Sequence, residues 1–456
     1  MRELPEGWAE ATLEDIAQWG SGGTPSRKNS EYYDGLIPWI KTGELNQKII
    51  VDTEEKITDL ALQNSSAKIF PKGSVAVAMY GATIGKTSIL GMDAATNQVC
   101  AVGIPNLEIT TTEYLWHYLS SQKEDFIEAG KGGAQPNISQ GVVKEWPLPL
   151  PPLNEQKRIA DRLDQLLTRI DKIKAHLDRI LPLLKRFRQS VLAAATSGKL
   201  TEEWREEYVI EKLGLNSIAE LKLNDDYLFD LPAGWKWVKL TDIANYKSGV
   251  AFKSNEFSNS GTQVIRLGNV YQGKLDLSRD PIFMKVVSDK ANTLRSKSIV
   301  VSQTGTRHKR DYGYFVMIPE DAPPLLLNQR LLAIMTSPAT IAKYVVLASN
   351  TIAYKEFFFS QETGGVNQGN VGIAGVMQGP IPLPPIKEQQ EIVRRVEALF
   401  AKADRIEAQY KNARQQVDRL TPALLAKAFR GELVPQDPND EPASVLLERV
   451  KEARSM

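Results

Sequence analysis

The segment Ser74–Leu90 carries the residues that come closest to a chemical motif in this sequence. An apolar run ends at Tyr80, and Gly81 is followed after three residues by Gly85-Lys86-Thr87. A phosphate-binding P-loop needs a glycine, four residues and then Gly-Lys-Ser/Thr on a turn between a strand and a helix. The residues after Thr87 also lack the pattern of an amphipathic helix. The spacing therefore argues against a nucleotide-binding loop.

Other catalytic or metal-binding patterns are missing from the sequence. The three histidines, His117, His176 and His308, lie far apart, and Cys100 is the one cysteine, so no Cys/His cluster is available for zinc. No dinucleotide-binding glycine pattern, zinc-protease helix motif or nucleophile elbow is present. We therefore predict no catalytic residue and no metal site.

Length and composition indicate an ordinary protein of two to four domains. The chain has 456 residues, and 56 Lys and Arg balance 55 Asp and Glu. The single cysteine rules out an internal disulfide and favours a reducing cytoplasm. The first residues lack the apolar region of a signal peptide, and no apolar run approaches the ~20 residues of a membrane helix. We expect a cytoplasmic protein without a membrane partner.

An internal duplication is the strongest signal in the sequence. "LPEGWAEATLEDIA" at Leu4 returns as "LPAGWKWVKLTDIA" at Leu231, and "PLPLPPLNEQ" ending at Gln156 returns as "PIPLPPIKEQ" ending at Gln389. Short β-like runs between Gly, Pro and Asn turns alternate with helical patterns, which predicts an α+β fold in each half. Where the first half has "GATIGKT", the second has "GTRHKRDYG" starting at Gly305. Both segments are predicted to be hairpin-like loops that present different side chains from one scaffold.

A long helix is predicted after the Pro-rich break of each half. Its apolar residues are spaced alternately four and three apart, as in a heptad seam. Pro182 and Pro422 are expected to kink or interrupt these helices, and Gly198 and Gly431 to end them. We predict that the two helices pair as an intramolecular antiparallel coiled coil; burial of each helix on its own domain, or pairing between chains, are the alternatives. The predicted seam consists of Ile159, Leu163, Leu166, Ile170, Ile173, Leu177, Ile180, Leu184, Ile392, Val396, Leu399, Ile406, Val417 and Leu420.

The loops that differ between the halves are polar, Gly-rich and locally basic. Arg and Lys side chains hold phosphates or read guanine, and Asn and Gln side chains read adenine. Singly, each of these residues is more often a turn or capping residue, but they cluster in the same loops of both copies. The candidate DNA-binding residues are Arg27, Lys28, Lys41, Lys48, Lys86, Asn97, Gln98, Gln135, Asn137, Arg266, Arg307, His308, Lys309, Arg310, Asn328, Gln329, Asn367 and Asn370.

Taken together, these stretches resemble the specificity subunit of type I restriction–modification systems. The resemblance covers essentially the full length and rests on the two LP-x-GW openings, on "GGTPS" and "IPWIKTGEL", and on the paired "LPP[LI]xEQ" helix starts. The helix endings "LKRFRQSVLAAATSGKLTEEW" and "LLAKAFRGELVPQD" complete it.

The resemblance implies two mixed α/β target-recognition domains, each reading one half of a bipartite double-stranded DNA site, with two spacer helices between them. It implies a non-catalytic subunit that assembles with two adenine-methylating modification subunits and, in the full nuclease, with restriction and translocase subunits. S-adenosylmethionine, ATP and Mg²⁺ are expected in those partners. The corresponding boundaries are 1–150 and 231–383 for the recognition domains, 151–200 and 384–433 for the spacer helices, 201–230 for a linker with a short helix, and 434–456 for a tail with a short helix.

Two other functions remain open on the sequence. A P-loop nucleotidase with a coiled-coil arm predicts tight nucleotide binding that depends on Lys86. A scaffold joining two peptide-binding domains predicts no salt-sensitive, sequence-dependent binding of DNA, whereas the DNA interpretation predicts a steep salt dependence.

Overall fold

A computed structural model of the chain describes residues 4–130, 136–212, 229–271, 273–285, 293–294, 296–338 and 340–455. Gln135 and most of the predicted linker lie outside the described residues. The chain divides into two compact units, one built from Met1–Leu177 with Lys411–Met456 (unit 1) and the other from Asp178–Tyr410 (unit 2). Each unit therefore contains one repeat and a part of both long helices.

Unit 1 contains a five-stranded sheet in the order β2-β10-β7-β8-β4, a four-stranded sheet in the order β5-β3-β9-β6, and the pair β1-β11. Its strands are β1 (Ala9–Thr12), β2 (Ala17–Ser21), β3 (Tyr33–Ile40), β4 (Ile49–Ile50), β5 (Lys56–Ile57), β6 (Ile69–Phe70), β7 (Val75–Ala78), β8 (Thr87–Leu90), β9 (Ala94–Thr96), β10 (Cys100–Pro105) and β11 (Pro147–Leu150). The helices of the same repeat are α1 (Leu13–Ile16), α2 (Asp59–Gln63), α3 (Thr112–Ser121), α4 (Lys123–Ala129), α5 (Gln140–Lys144) and α6 (Leu153–Asp178).

Unit 2 repeats this plan with sheets in the orders β13-β24-β20-β22, β14-β18-β15-β23-β19 and β21-β26-β25, and with the pairs β12-β27 and β16-β17. Its strands are β12 (Lys236–Lys239), β13 (Ala244–Ser248), β14 (Phe257–Ser258), β15 (Thr262–Ile265), β16 (Val270–Tyr271), β17 (Lys274–Leu275), β18 (Phe283–Met284), β19 (Thr293–Leu294), β20 (Ile299–Ser302), β21 (Thr304–Thr306), β22 (Phe315–Met317), β23 (Leu325–Leu327), β24 (Leu331–Thr336), β25 (Glu362–Gly364), β26 (Gln368–Val371) and β27 (Pro380–Leu383). The helices are α7 (Ile180–Thr196), α8 (Glu202–Lys212), α9 (Leu240–Ile243), α10 (Ala342–Ser349), α11 (Ile352–Ser360), α12 (Ile373–Met377) and α13 (Ile386–Ala428), and α14 (Ala443–Ser455) returns to unit 1.

The two repeats close in the same way. β1 pairs antiparallel with β11, so that Ala9 lies opposite Leu150, and β12 pairs with β27, so that Lys236 lies opposite Leu383. The first strand of each domain is thereby joined to the proline-rich strand that immediately precedes the long helix. The duplication read from the sequence is confirmed as a duplication of strand pairing.

The segment that mimics a P-loop is a β-hairpin. β7 and β8 pair antiparallel, with Val77 opposite Thr87, and no helix follows β8. The amide of Gly85 donates to the carbonyl of Ala78, and the amide of Gly81 donates to that of Pro136. Two amides that a phosphate cradle would need are therefore already bonded. The corresponding strands β20 and β22 of unit 2 also pair antiparallel, so the predicted hairpins are confirmed.

The proline residues affect the two long helices differently. α6 ends at Asp178 and α7 begins at Ile180, four and two residues before Pro182. Because a proline ring clashes with the carbonyl four residues earlier, Pro182 explains the interruption. α13 continues through Pro422 over 43 residues, so the predicted interruption there is wrong.

Each unit packs parts of both long helices against its globular core. In unit 1, Ile159 and Leu163 of α6 share a buried cluster with Ala428 of α13. In unit 2, Val191 of α7 lies in one cluster with Ile392 and Val396 of α13. Lys174 pairs with Asp418 at 3.6 Å within unit 1, and Arg188 pairs with Asp404 at 2.9 Å within unit 2.

Burial along the predicted seam is uneven. Ile159, Leu163, Ile170, Leu184, Ile392, Val396 and Val417 are buried. Ile173, Ile406 and Leu420, by contrast, are 44, 45 and 43% exposed. The predicted seam is therefore not covered evenly along its length, and the place of these three residues in it remains a prediction.

Candidate nucleic-acid interface

In unit 2 the fold brings two predicted loops together. β21 pairs with β26, with Thr304 opposite Asn370 and Thr306 opposite Gln368. The basic segment 307–310 therefore follows a strand that is bonded to the amide-rich segment 367–370. Sequence reasoning placed candidates in both segments, and the sheet β21-β26-β25 explains why the two lie side by side.

The basic side chains of this segment have different roles. Arg307 donates from Nε to Glu362 at 3.0 Å and from Nη1 to the carbonyls of Gly364 and Gly365, both at 3.3 Å. Its guanidinium thus holds the turn between β25 and β26. Arg310 has a left-handed backbone (φ 46°) and lies 4.9 Å from the centre of the Phe359 ring.

His308 and Lys309 lie in the same turn and are exposed, as Arg310 is. The amide of Lys309 donates to the carbonyl of Thr306, which closes the turn. Both side chains are therefore presented to solvent on a backbone that is fixed by a hydrogen bond.

An open cleft of about 650 Å³ lies beside this sheet in unit 2. It is lined by residues from five stretches of the repeat, namely Leu267, Gly268, Val270, Tyr271, Arg279, Thr304, Gly305, Thr306, Asp311, Arg330, Asn367 and Gln368. Sequence reasoning missed Arg279, Arg330 and Asp311. Arg330 immediately follows the recurring Asn-Gln pair, which was the available signal.

The Asn-Gln pair occupies the same backbone position in both units. The amide of Asn97 donates to the carbonyl of Ile40 at 3.0 Å, and that of Asn328 donates to the carbonyl of Ile265 at 3.1 Å. Asn97 is half-buried, and its Oδ1 atom has no hydrogen-bond partner in the described part of the chain. Gln98 accepts a hydrogen bond from Thr24, whereas Gln329 is exposed.

Arg27 and Lys41 of unit 1 share one carboxylate. Glu55 lies 2.6 Å from Nη1 of Arg27 and 2.9 Å from Nζ of Lys41, and Lys41 also contacts Glu54 at 3.1 Å. Hydrogen bonds from Arg27 and then Lys41 lower the pKa of the Glu55 carboxyl. The guanidinium of Arg27 also lies 4.5 Å from the centre of the Tyr33 ring. The local acidic residues therefore offset part of the positive charge at this surface.

Lys48 is engaged by the spacer helix. Its Nζ atom lies 2.5 Å from Asp164 of α6, and the same carboxylate accepts a hydrogen bond from Nε2 of His117 at 2.9 Å. Burial lowers the pKa of His117 to about 4, so the imidazole is neutral at pH 7. Lys48 thus ties the domain to α6, and its predicted contact with DNA remains a prediction.

Three of the remaining candidate residues also contact neighbouring residues of their own unit. Lys86 donates to Asn46 at 2.7 Å, and Asn137 forms an isolated antiparallel bridge with Tyr80, whereas Asn370 pairs with Thr304 within the β21-β26 ladder. Arg266 donates from Nη2 to the carbonyl of Asp280 at 2.5 Å. Lys28 is exposed and has no hydrogen-bond or ion-pair partner among the residues that the structure describes.

The described ranges contain no group of three or more His, Cys, Asp or Glu that could hold a metal ion. None of the described helices is long and apolar enough to cross a membrane.

Comparison with known families defines the class of this protein. The family model described as "Type I restriction modification DNA specificity domain" matches residues 5–181 and 232–414, which are the two repeats with the beginnings of their helices. The chain belongs to this family and is a specificity subunit of a type I restriction–modification system.

Individual relatives agree with this assignment. The EcoKI specificity subunit of Escherichia coli K12 is 30% identical over 99% of this chain and 97% of its own length. The EcoBI specificity subunit of Escherichia coli is 33% identical over 70% of this chain and 67% of its own length.

Solved structures share the fold at lower identity. A chain from a study of complex assembly and conformational transition of the type I R-M system has a TM-score of 0.71 at 18% identity, covering 95% of this chain and all of its own. The HsdS subunit of Thermoanaerobacter tengcongensis has a TM-score of 0.58 at 18% identity, covering 94% and 98% of the two chains.

Proposed function

We propose that each unit reads one half of an asymmetric, bipartite target in double-stranded DNA. The observation that supports this most directly is that the two units share one backbone arrangement but carry different side chains on it. Both units have the hairpin, the Asn-Gln pair and the amide-rich loop, whereas the segment Arg307–Arg310 of unit 2 has three basic residues and the corresponding loop of unit 1 has one, Lys86. Two readers with different side chains would recognise different half-sites.

The gap between the half-sites would be set by an antiparallel pair of spacer helices. The ion pairs Lys174–Asp418 and Arg188–Asp404 are 14 residues apart in each helix. The residue number rises from 174 to 188 in the first spacer helix and falls from 418 to 404 in the second. Opposite directions and equal steps are what an antiparallel coiled coil with heptad spacing requires. The Phe400 ring lies 5.4 Å from the Arg188 guanidinium, which adds a second contact between the same segments.

In this proposal the subunit carries no catalytic group of its own and positions two adenine-N6 methyltransferase subunits on DNA. Restriction and translocase subunits would join the same assembly in the complete nuclease. S-adenosylmethionine, ATP and Mg²⁺ would be bound by those partners, and the complex would work in the cytoplasm. The near balance of acidic and basic residues in this chain suggests that partner subunits supply part of the affinity for DNA.

Methylome sequencing tests the function directly. Cells expressing the modification subunits with this chain are compared with cells expressing the modification subunits alone. We expect N6-methyladenine at one bipartite motif with two different half-sites, and only when this chain is present. Methylation that is unchanged by this chain, or confined to a single uninterrupted motif, would contradict the proposal.

A further inference from the structure

We propose that Arg330 is a specificity-determining residue of unit 2 and that it reads a guanine in one half-site. This inference rests on the proposed function and adds to it the residue and the base. Arg330 was not among the residues singled out from the sequence. The inference is supported by its local backbone, by its free guanidinium and by the equivalent position in unit 1.

The backbone of Arg330 is fixed to the sheet. Its carbonyl accepts a hydrogen bond from the amide of Gln303 at 3.1 Å, and β24 begins at the next residue. Gln303 is itself buried and donates from Nε2 to the carbonyl of Val371 in β26 at 3.1 Å. A side chain mounted in this way needs little reordering when a ligand binds.

Val99 is the structural equivalent of Arg330 in unit 1. The carbonyl of Val99 accepts from the amide of Met79 at 2.9 Å, as that of Arg330 accepts from Gln303. Both residues come directly after the Asn-Gln pair and shortly before the long strand that begins at Cys100 or Leu331. The frame is therefore constant, and the side chain at this place changes from an apolar one to a guanidinium.

The guanidinium of Arg330 is available, in contrast to those of Arg307 and Arg266. It lines the cleft and is exposed, and within the described part of the chain it makes no hydrogen bond or ion pair. Arg307 is committed to Glu362 and to two carbonyls, and Arg266 to the carbonyl of Asp280. Of these three arginines, Arg330 is the one that can offer its whole donor fork to a base.

The chemistry of the fork points to guanine. Two parallel N–H donors of an arginine match the O6 and N7 acceptors of guanine in the major groove, and such a pair discriminates strongly against other bases. A valine offers no donor and contacts a thymine methyl group at best. The half-site read by unit 2 should therefore contain a guanine that depends on Arg330.

The test compares methylation motifs of assembled methyltransferases that contain wild-type, Arg330→Val or Lys236→Ala subunits. Arg330→Val installs the side chain of the equivalent position, and Lys236→Ala removes one positive charge from an exposed position on β12 that is not among the candidate DNA-binding residues. For Arg330→Val we expect one guanine position in one half-site to lose discrimination at least about fivefold, with the other half-site unchanged. Lys236→Ala should leave the motif as in the wild type.

Three outcomes would overturn the inference. The first is a wild-type bipartite motif without guanine in either half-site. The second is an Arg330→Val motif identical to that of the wild type, and the third is a uniform loss of methylation at all sites, which would indicate a phosphate contact. Absence of any bipartite motif for the wild-type subunit would instead refute the proposed function, so the two failures can be told apart.

Discussion

The indole Nε1 of Trp235 donates to Oε2 of Glu388 at 2.8 Å, and Trp8 makes the same bond to Glu155 at 3.1 Å. Trp235 belongs to the LP-x-GW opening of its repeat, and Glu388 to the first turn of the long helix. The two motifs that mark the duplication therefore meet in space, in each repeat, and join the start of a domain to the start of its helix.

Removing the carboxylate of Glu388 should destabilise unit 2. Trp235, Thr201 and Arg205 all donate to it, and its side chain is only 3% exposed. Glu388→Ala leaves a buried guanidinium, an indole and a hydroxyl without their acceptor, which costs about 3–5 kcal/mol. Hydrogen exchange measured by mass spectrometry should show faster exchange in peptides of unit 2, with peptides of unit 1 as the internal control. Equal protection in the variant and the wild type would contradict this role.

Protonation of Glu155 should make the free energy of unfolding depend on pH. Burial raises the pKa of its carboxyl above the ordinary value of 4.5, and Oε1 has no partner in the described part of the chain. Because the folded state then binds the proton more tightly than the unfolded state, stability rises as pH falls through the folded-state pKa. Relative to Glu155→Gln, the wild type should gain free energy of unfolding between pH 7 and pH 5. Parallel stability curves for the two proteins would refute the prediction.

Gly431 should not tolerate a side chain. Its φ is 73°, and a Cβ atom there would lie 2.5 Å from Cγ of Pro5. Gly431→Ala is expected to lower the free energy of unfolding by about 2 kcal/mol, since the left-handed backbone alone costs about 1–2 kcal/mol. Gly141, inside α5, is the matched control. A Cβ atom there would lie 3.6 Å from Oγ of Ser139, an ordinary contact, so Gly141→Ala should be neutral or slightly stabilising. Chemical denaturation measures both, and equal effects would refute the steric explanation.

Lys48 and Lys28 should respond differently to the loss of one positive charge. Lys48→Ala breaks the contact with Asp164 and should lower stability by up to about 1 kcal/mol. Lys28→Ala should leave stability unchanged and, if Lys28 contacts a phosphate, reduce the slope of log affinity against log salt by about one. Thermal unfolding and DNA-binding titrations of the methyltransferase complex separate the two effects. A reduced salt slope for Lys48→Ala would reassign that residue to the DNA surface.

Lengthening both spacer helices by one heptad should change the gap and not the half-sites. Seven residues inserted between Lys174 and Asp178 and between Asp404 and Asp418 keep the apolar spacing and add ~10 Å of helix. The preferred gap should grow by about three base pairs, as read from the methylome. Inserting four residues instead breaks the heptad spacing and serves as the control, for which we expect loss of methylation. Altered half-sites after the heptad insertion would contradict the proposal that the spacer helices set only the gap.

The sequence predicts the duplication, the hairpins and the helices because these follow from local patterns. Turn residues on both sides of "SVAVAMY" and "SIVVSQ" delimit β7 and β20, and the Gly-poor heptad segments correspond to α6, α7 and α13. The break at Arg179 could also be anticipated from Pro182. Pro422 was misjudged, since a single proline can remain inside a helix whose neighbouring turns stay bonded.

The roles of individual basic residues could not be predicted in the same way. Arg307 and Lys48 have the composition of DNA contacts, yet Glu362 and Asp164, far away in sequence, engage them. Arg330 was overlooked because it is a lone arginine next to a strand, and only the fold shows that it lines a cleft. These contacts join residues that are far apart in the sequence, so neither the spacing nor the composition of a local segment predicts them.

The division of unit 1 into two stretches of chain has a consequence for biosynthesis. Unit 2 is continuous from Asp178 to Tyr410, whereas the core of unit 1 includes Ala428, Leu446 and Val450. On the ribosome, the second reader can complete its fold while the first, although made earlier, still lacks part of its interior. Unit 2 can therefore finish folding before unit 1, although unit 1 begins to leave the ribosome first. The nascent part of unit 1 must avoid aggregation until α14 has been synthesised.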